Sequence, residues 1–196
     1  LGLLLLQGCE SATGVDPTVE PPLLQQLPRT LSSDELTAIR ANNTFAFNLL
    51  GRVVATNATE NVFISPLSVS LALGMVMDGA RGSTREAMAS TLGFGTLPPA
   101  AINAGYRDLI RLLVSLDAQI QLTIANSIWA EQTFPIAPAF LSNARTYFDA
   151  EADVLDFRSP AAVATLNGWG NRETAGKVPP TLAGISPGGG PFSAHA

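Results

Sequence analysis

Cysteine and histidine are almost missing from this chain: its 196 residues hold Cys9 and His195 and no other of either kind. One cysteine cannot close an internal disulfide, and no Cys/His set is available to hold a transition metal. Charge is sparse too, at 14% of residues with a formal net charge of −5. A sequence pI near 4.8 leaves no basic surface of the kind a nucleic acid requires. Of eleven basic residues only Lys177 is a lysine, which reads as codon bias before function. What the chain has in quantity is apolar material, 46% of residues, enough for a core and unlike a disordered segment.

The same shortages exclude most enzymes. A Ser-His-Asp hydrolase would have to use His195, which lies in a Gly/Pro-rich stretch where nothing fixes its geometry. A Ser-x-x-Lys site fails because Thr174 stands three before Lys177. A phosphate loop fails because Val178 follows Lys177 where Ser or Thr is needed. Asp153 and Asp156 sit three apart on an expected strand and so point to opposite faces. No catalytic residue and no cofactor is assigned.

Four stretches of different character follow one another. Residues 1–9 begin with Leu1-Gly2-Leu3-Leu4-Leu5-Leu6, too short to span a bilayer as a helix but similar to the end of a signal-peptide apolar region. Leu6-Gln7-Gly8-Cys9 resembles a bacterial lipobox, which makes Cys9 the lipidation candidate and points to a secreted or membrane-anchored lipoprotein, extracellular or periplasmic. Residues 10–30, with Pro17, Pro21, Pro22 and Pro28, read as an extended tether. Residues 31–185 carry the periodic patterns of a folded domain. Residues 186–196 have no periodicity and too much Gly and Pro to fold, and read as a tail of foreign character, such as a shifted frame produces.

Within the domain, Ser32 and Glu35 form a capping box for a helix whose apolar stripe is Leu36, Ile39, Ala46, Phe47, Leu50 and Val54. A strand over 62–64 then turns at Ser65, an N-cap, with Pro66 at the first helical position. From Leu67 to Met77 only Ser68 and Ser70 are polar, so this helix should run through the core. Ser83 and Glu86 offer another capping box for a short helix ending at Gly93. Pro98-Pro99 opens a helix with Ile102, Tyr106, Leu109, Leu113 and Leu116 on one face. The period then becomes two: Ile120, Leu122, Ile124 and Ile128 alternate with polar residues, and Asn126 falls inward, where it needs partners. A helix marked by Phe140, Ala144, Tyr147 and Phe148 precedes a strand over 152–157, and Ser159-Pro160 starts a helix through Leu166 and Trp169 towards Gly176. Helices and strands mix without regular βαβ alternation, so the fold class is α+β.

The run Asn61-Val62-Phe63-Ile64-Ser65-Pro66-Leu67-Ser68, continued to Asp78-Gly79-Ala80-Arg81-Gly82-Ser83-Thr84, resembles the first core helix of the serpins, the serine protease inhibitor family. The resemblance extends from about 43 to about 182. Ala41-Asn42-Asn43-Thr44-Phe45-Ala46-Phe47 resembles the serpin opening helix, and Leu122-Thr123-Ile124-Ala125-Asn126-Ser127-Ile128-Trp129 a strand of the large central sheet. Asn167-Gly168-Trp169 and Gly176-Lys177-Val178-Pro179 resemble the helix lying across that sheet and the turn after it.

The resemblance implies the N-terminal part of the serpin fold, helices on an incomplete central sheet. It implies a target protease as partner of any full-length form, and a bait loop that inserts into the sheet after cleavage. It also implies that Ser65, Pro66 and Ser68 form the shutter region beneath the sheet, whose hydroxyls help hold strands that must part. The family's hinge, reactive-centre loop and C-terminal strands have no counterpart after Pro180, so the expectation is a fragment that does not inhibit on its own and whose strand at 122–128 leaves an edge prone to aggregation. A non-inhibitory surface lipoprotein acting as a binding module is the alternative.

Overall fold

The structure is a computed structural model that describes residues 26–57 and 59–182. The leader with Cys9, the tether up to residue 25 and the tail at 186–196 lie outside the described residues. The elements run α1 (Ser33–Thr56), α2 (Pro66–Gly79), α3 (Gly82–Thr91), α4 (Pro99–Val114), β1 (Asn126–Glu131), α5 (Pro138–Phe148), β2 (Ala150–Leu155) and α6 (Pro160–Glu173). The fold is α+β: helices pack together around α4, and a small sheet lies at one side.

Helix starts follow local chemistry. Proline stands at the first turn of α2, α4, α5 and α6, where its missing N–H costs nothing. The capping box of α1 forms in full: Ser32 Oγ accepts from the Glu35 N–H, and the Glu35 carboxylate accepts from the Ser32 N–H. Ser159 caps α6 through the Ala161 N–H. The second capping box does not form. Helix α3 starts two residues early, at Gly82, so that Arg81 rather than Ser83 flanks it. Its far end closes as expected at Gly93, whose φ of +82° lets Phe94 N–H reach back to the Ala89 carbonyl at 2.8 Å.

Four further expectations are corrected. The apolar stripe on α1 is not the buried face. Ala38, Ala41 and Phe45 are buried, whereas Phe47 is 75% exposed and Leu36, Leu50 and Val54 are exposed as well. Small residues explain this. A Cβ on Gly105 of α4 would lie 2.9 Å from the Ala38 Cβ, and one on Gly93 would lie 3.1 Å from the Ala41 backbone, so α1 is drawn in along its alanines. Helix α2 is not covered all round, since Val69 and Val76 are exposed. Residues 62–64 form no strand among the described residues, and Phe63 points into solvent. The strand expected from 119 begins only at Asn126, because pairing rather than alternation defines it; Ile120 and Leu122 remain exposed.

The two strands pair in parallel, Asn126 opposite Ala150 through Glu131 opposite Leu155, with α5 as the crossover. Asp149, at φ +51°, turns the chain from α5 into β2. In such a ladder alternate residues face the partner strand. Gln132 N–H donates to the Leu155 carbonyl, so the odd-numbered residues of β2 face β1 and its even-numbered ones face away. That outer edge is partly closed by side chains: Arg145 donates to the Ala152 carbonyl, and the Val154 N–H donates to Asp153 Oδ1. On the outer edge of β1, no described residue bonds to the main chain of Ser127 or Trp129.

Candidate functional site

The expected shutter lies at the foot of α2. Ser65 occupies the N-cap position, and its carbonyl accepts from the Val69 N–H at 3.2 Å. Its hydroxyl does not cap. It bonds instead to the Ser68 hydroxyl at 2.8 Å, one turn along, with Pro66 between them fixing the first turn. Both serines are exposed, and neither bonds to β1 or β2. Among the described residues, no base is hydrogen-bonded to either hydroxyl.

Deeper in α2 the geometry tightens. Ser70, fully buried, bonds to the Tyr106 hydroxyl of α4 at 2.8 Å, and that hydroxyl also donates to the Ser70 carbonyl at 3.1 Å. Burial drives the Tyr106 phenol far above its ordinary pKa, the hydrogen bond from Ser70 opposing this only in part. It is therefore a fixed hydroxyl with no acid–base role near neutrality. Phe94 and Phe148 pack on the same ring, each with centroids 5.2 Å away. Gly74 admits the ring: a Cβ there would stand 2.6 Å from Tyr106 Cε2.

At the other end of α2, the Asp78 carboxylate joins three helices. Oδ1 accepts from Asn103 of α4 at 2.7 Å and Oδ2 from Asn143 of α5 at 2.8 Å. Asn126, inward as expected, donates to the Phe148 carbonyl at 3.1 Å and ties β1 to the end of α5. Asn167 of α6 clamps the following turn, donating to the Leu182 carbonyl and accepting from the Thr181 and Leu182 N–H groups. Sequence reasoning missed Ser70, Asp78 and Asn103. The available signals were a lone serine deep in an apolar run, an acid closing that run, and an asparagine next to Ile102 on the buried stripe of α4.

The arrangement ties helices and a sheet strand together through side-chain hydrogen bonds. Its pattern matches one known family, since the profile described as Serpin (serine protease inhibitor) covers residues 40–188. The chain belongs to the serpin family. It is 36% identical over 145 residues to the leukocyte elastase inhibitor of Bos taurus, a match covering 73% of this chain and 38% of that protein. It is 33% identical over 148 residues to the corticosteroid-binding globulin of Oryctolagus cuniculus, covering 74% of this chain and 39% of that one. This serpin chain thus spans about two fifths of the length of these relatives. Human glycosylated kallistatin superposes with a TM-score of 0.71 at 22% identity, over 79% of this chain and 42% of its own. Human thyroxine-binding globulin gives 0.69 at 29% identity, over 80% and 43%. The serpin-like fold is therefore shown by structure as well as by sequence.

Proposed function

We propose that this chain supplies the N-terminal half of a serpin whose whole form inhibits a serine-type endopeptidase. The observation carrying this reading is the ordered match to the family over residues 40–188, with a protease inhibitor among its relatives at 36% identity. In this reading Ser65, Pro66 and Ser68 are the shutter, and their joined hydroxyls brace the foot of α2 while sheet strands move past it. The described residues supply helices and two strands; the bait and its acceptor strands are not among them. The test is to read the coding sequence beyond Ile185 in all three frames, express whatever full chain results, and incubate it with a panel of serine proteases. Complexes that survive denaturing gels support inhibition; cleavage without a complex sinks it.

A second reading, a non-inhibitory binding module, draws on the corticosteroid-binding globulin among the relatives. It would show as unproductive cleavage in the same assay.

Two further parts of the reading concern location and association. Cys9 carries a lipid and tethers a secreted or periplasmic protein. Metabolic labelling with palmitate should mark the chain and fail with Cys9→Ala, and equal membrane partitioning of both forms would refute it. The open edge of β1 promotes association of the 196-residue chain. Ser127→Pro removes a donor from that outer edge without touching the β1–β2 ladder. It should lower the sedimenting aggregate, and an unchanged distribution would place the association elsewhere.

A further inference from the structure

A cavity of about 530 Å³ opens where the end of α2 and the start of α3 meet the first turn of α5. That size is ordinary for a small-molecule site, which spans roughly 300–1,000 Å³. One wall is apolar, made by Phe134, Ile136 and Phe140. The Phe140 ring lies directly over Gly79, where a Cβ would come within 2.9 Å of it. Phe134 is 63% exposed beside it.

The lining also carries Arg81 and Arg85. Both have a structural task. Arg81 Nη1 donates to the Asp78 and Ala80 carbonyls at 3.0 and 2.9 Å, and Arg85 Nη1 donates to the Met77 carbonyl at 3.1 Å, so together they close the C-terminal end of α2. That task uses one terminal nitrogen of each guanidinium and leaves the rest of its five N–H donors. Among the described residues, neither arginine has a carboxylate within ion-pair distance. Asp78 borders the same cavity, three residues before Arg81, but its two oxygens are already held by Asn103 and Asn143. Two guanidiniums without a described carboxylate partner therefore line the same cavity as these apolar side chains, together with the N-terminal turn of α5, the positive end of its dipole.

We propose that this cavity binds a small amphipathic anion, its carboxylate against Arg81 and Arg85 and its acyl or aryl body along Phe134, Ile136 and Phe140. Guanidinium suits the head because it meets a carboxylate with paired donors. The proposal rests on the cavity alone and stands whether or not the whole protein inhibits a protease.

The test is calorimetric titration of the 196-residue chain with decanoate, using decanol as the neutral counterpart. The expected result is one saturable decanoate site, with decanol binding at least tenfold more weakly. Arg81→Gln combined with Arg85→Gln should weaken decanoate at least tenfold. So should Ala139→Trp, which fills the cavity from an exposed position and removes no cap. If the double arginine variant loses its helical circular dichroism, Ala139→Trp and the decanoate–decanol ratio still decide. Absence of saturable binding, equal binding of decanol, or undiminished decanoate binding by Ala139→Trp would each overturn the proposal.

Discussion

The helical layer around Tyr106 and the sheet side of the molecule are finished to different degrees. In the helical layer the buried hydroxyls of Ser70 and Tyr106 satisfy each other, and Asp78 takes an amide from each of two neighbouring helices. At the sheet, β2 has an outer edge shielded by Arg145 and Asp153, while the main chain of Ser127 and Trp129 on the outer edge of β1 meets no described partner and Trp129 Nε1 is buried without an acceptor. Helix α6 buries only Ala162 and meets β2 through an exposed Arg172–Glu151 pair. The contrast teaches where stability resides: the helices hold one another, and the sheet has one side whose main chain is partly without described partners.

The comparison can be broken most forcefully at its packed side. Phe148→Ala empties a fully buried site against Tyr106 and should cost about 4 kcal/mol, read as a lower urea midpoint. A loss below about 1 kcal/mol would mean that the helical layer is not the stable part. Tyr106→Phe keeps the ring but strands the Ser70 hydroxyl in the core, with an expected loss of about 2 kcal/mol by the same measurement.

A pH effect is expected at the start of α1. The guanidinium of Arg29, bonded to the buried Glu35 carboxylate, and the Ser32 cap hold that carboxyl down at about 2 against desolvation, from an ordinary value of 4.5. A depressed carboxyl favours the folded chain above its unfolded pKa. This contribution is therefore whole above about pH 4.5 and disappears as pH falls through 2. Urea midpoints between pH 5 and 2 should fall less steeply in Glu35→Gln than in the parent chain. The smallest effect belongs to the sheet side: Arg172→Ala breaks an exposed pair and should change stability by less than about 0.5 kcal/mol.

Local chemistry made much of this legible in the sequence. The Ser32–Glu35 box, the prolines at helix starts and Gly93 at a helix end each act through neighbouring residues, so reading in order suffices. The order of motifs that carried the family resemblance was visible for the same reason. Tertiary choices were less so. Apolar period alone marked Phe47 and Leu50 as the inner face of α1, because it cannot register that Ala38 and Ala41 fit against glycines on neighbouring segments. The alternation from 119 announced a strand before any partner existed to pair with it. Ser83 and Glu86 had the right spacing for a cap, but the helix began two residues too soon. At the candidate site, Ser65 and Pro66 were placed correctly at the start of α2, whereas the Ser65–Ser68 bond and the Asp78 link to Asn103 and Asn143 depend on rotamers and on helices distant in the chain.

The most direct test joins residues 31–182 in frame to the C-terminal portion of the bovine leukocyte elastase inhibitor and incubates the folded chimera with leukocyte elastase. If these residues are a working serpin half, a complex that survives a denaturing gel should form. A chimera that unfolds cooperatively, is cleaved by elastase and yields no complex would contradict the account.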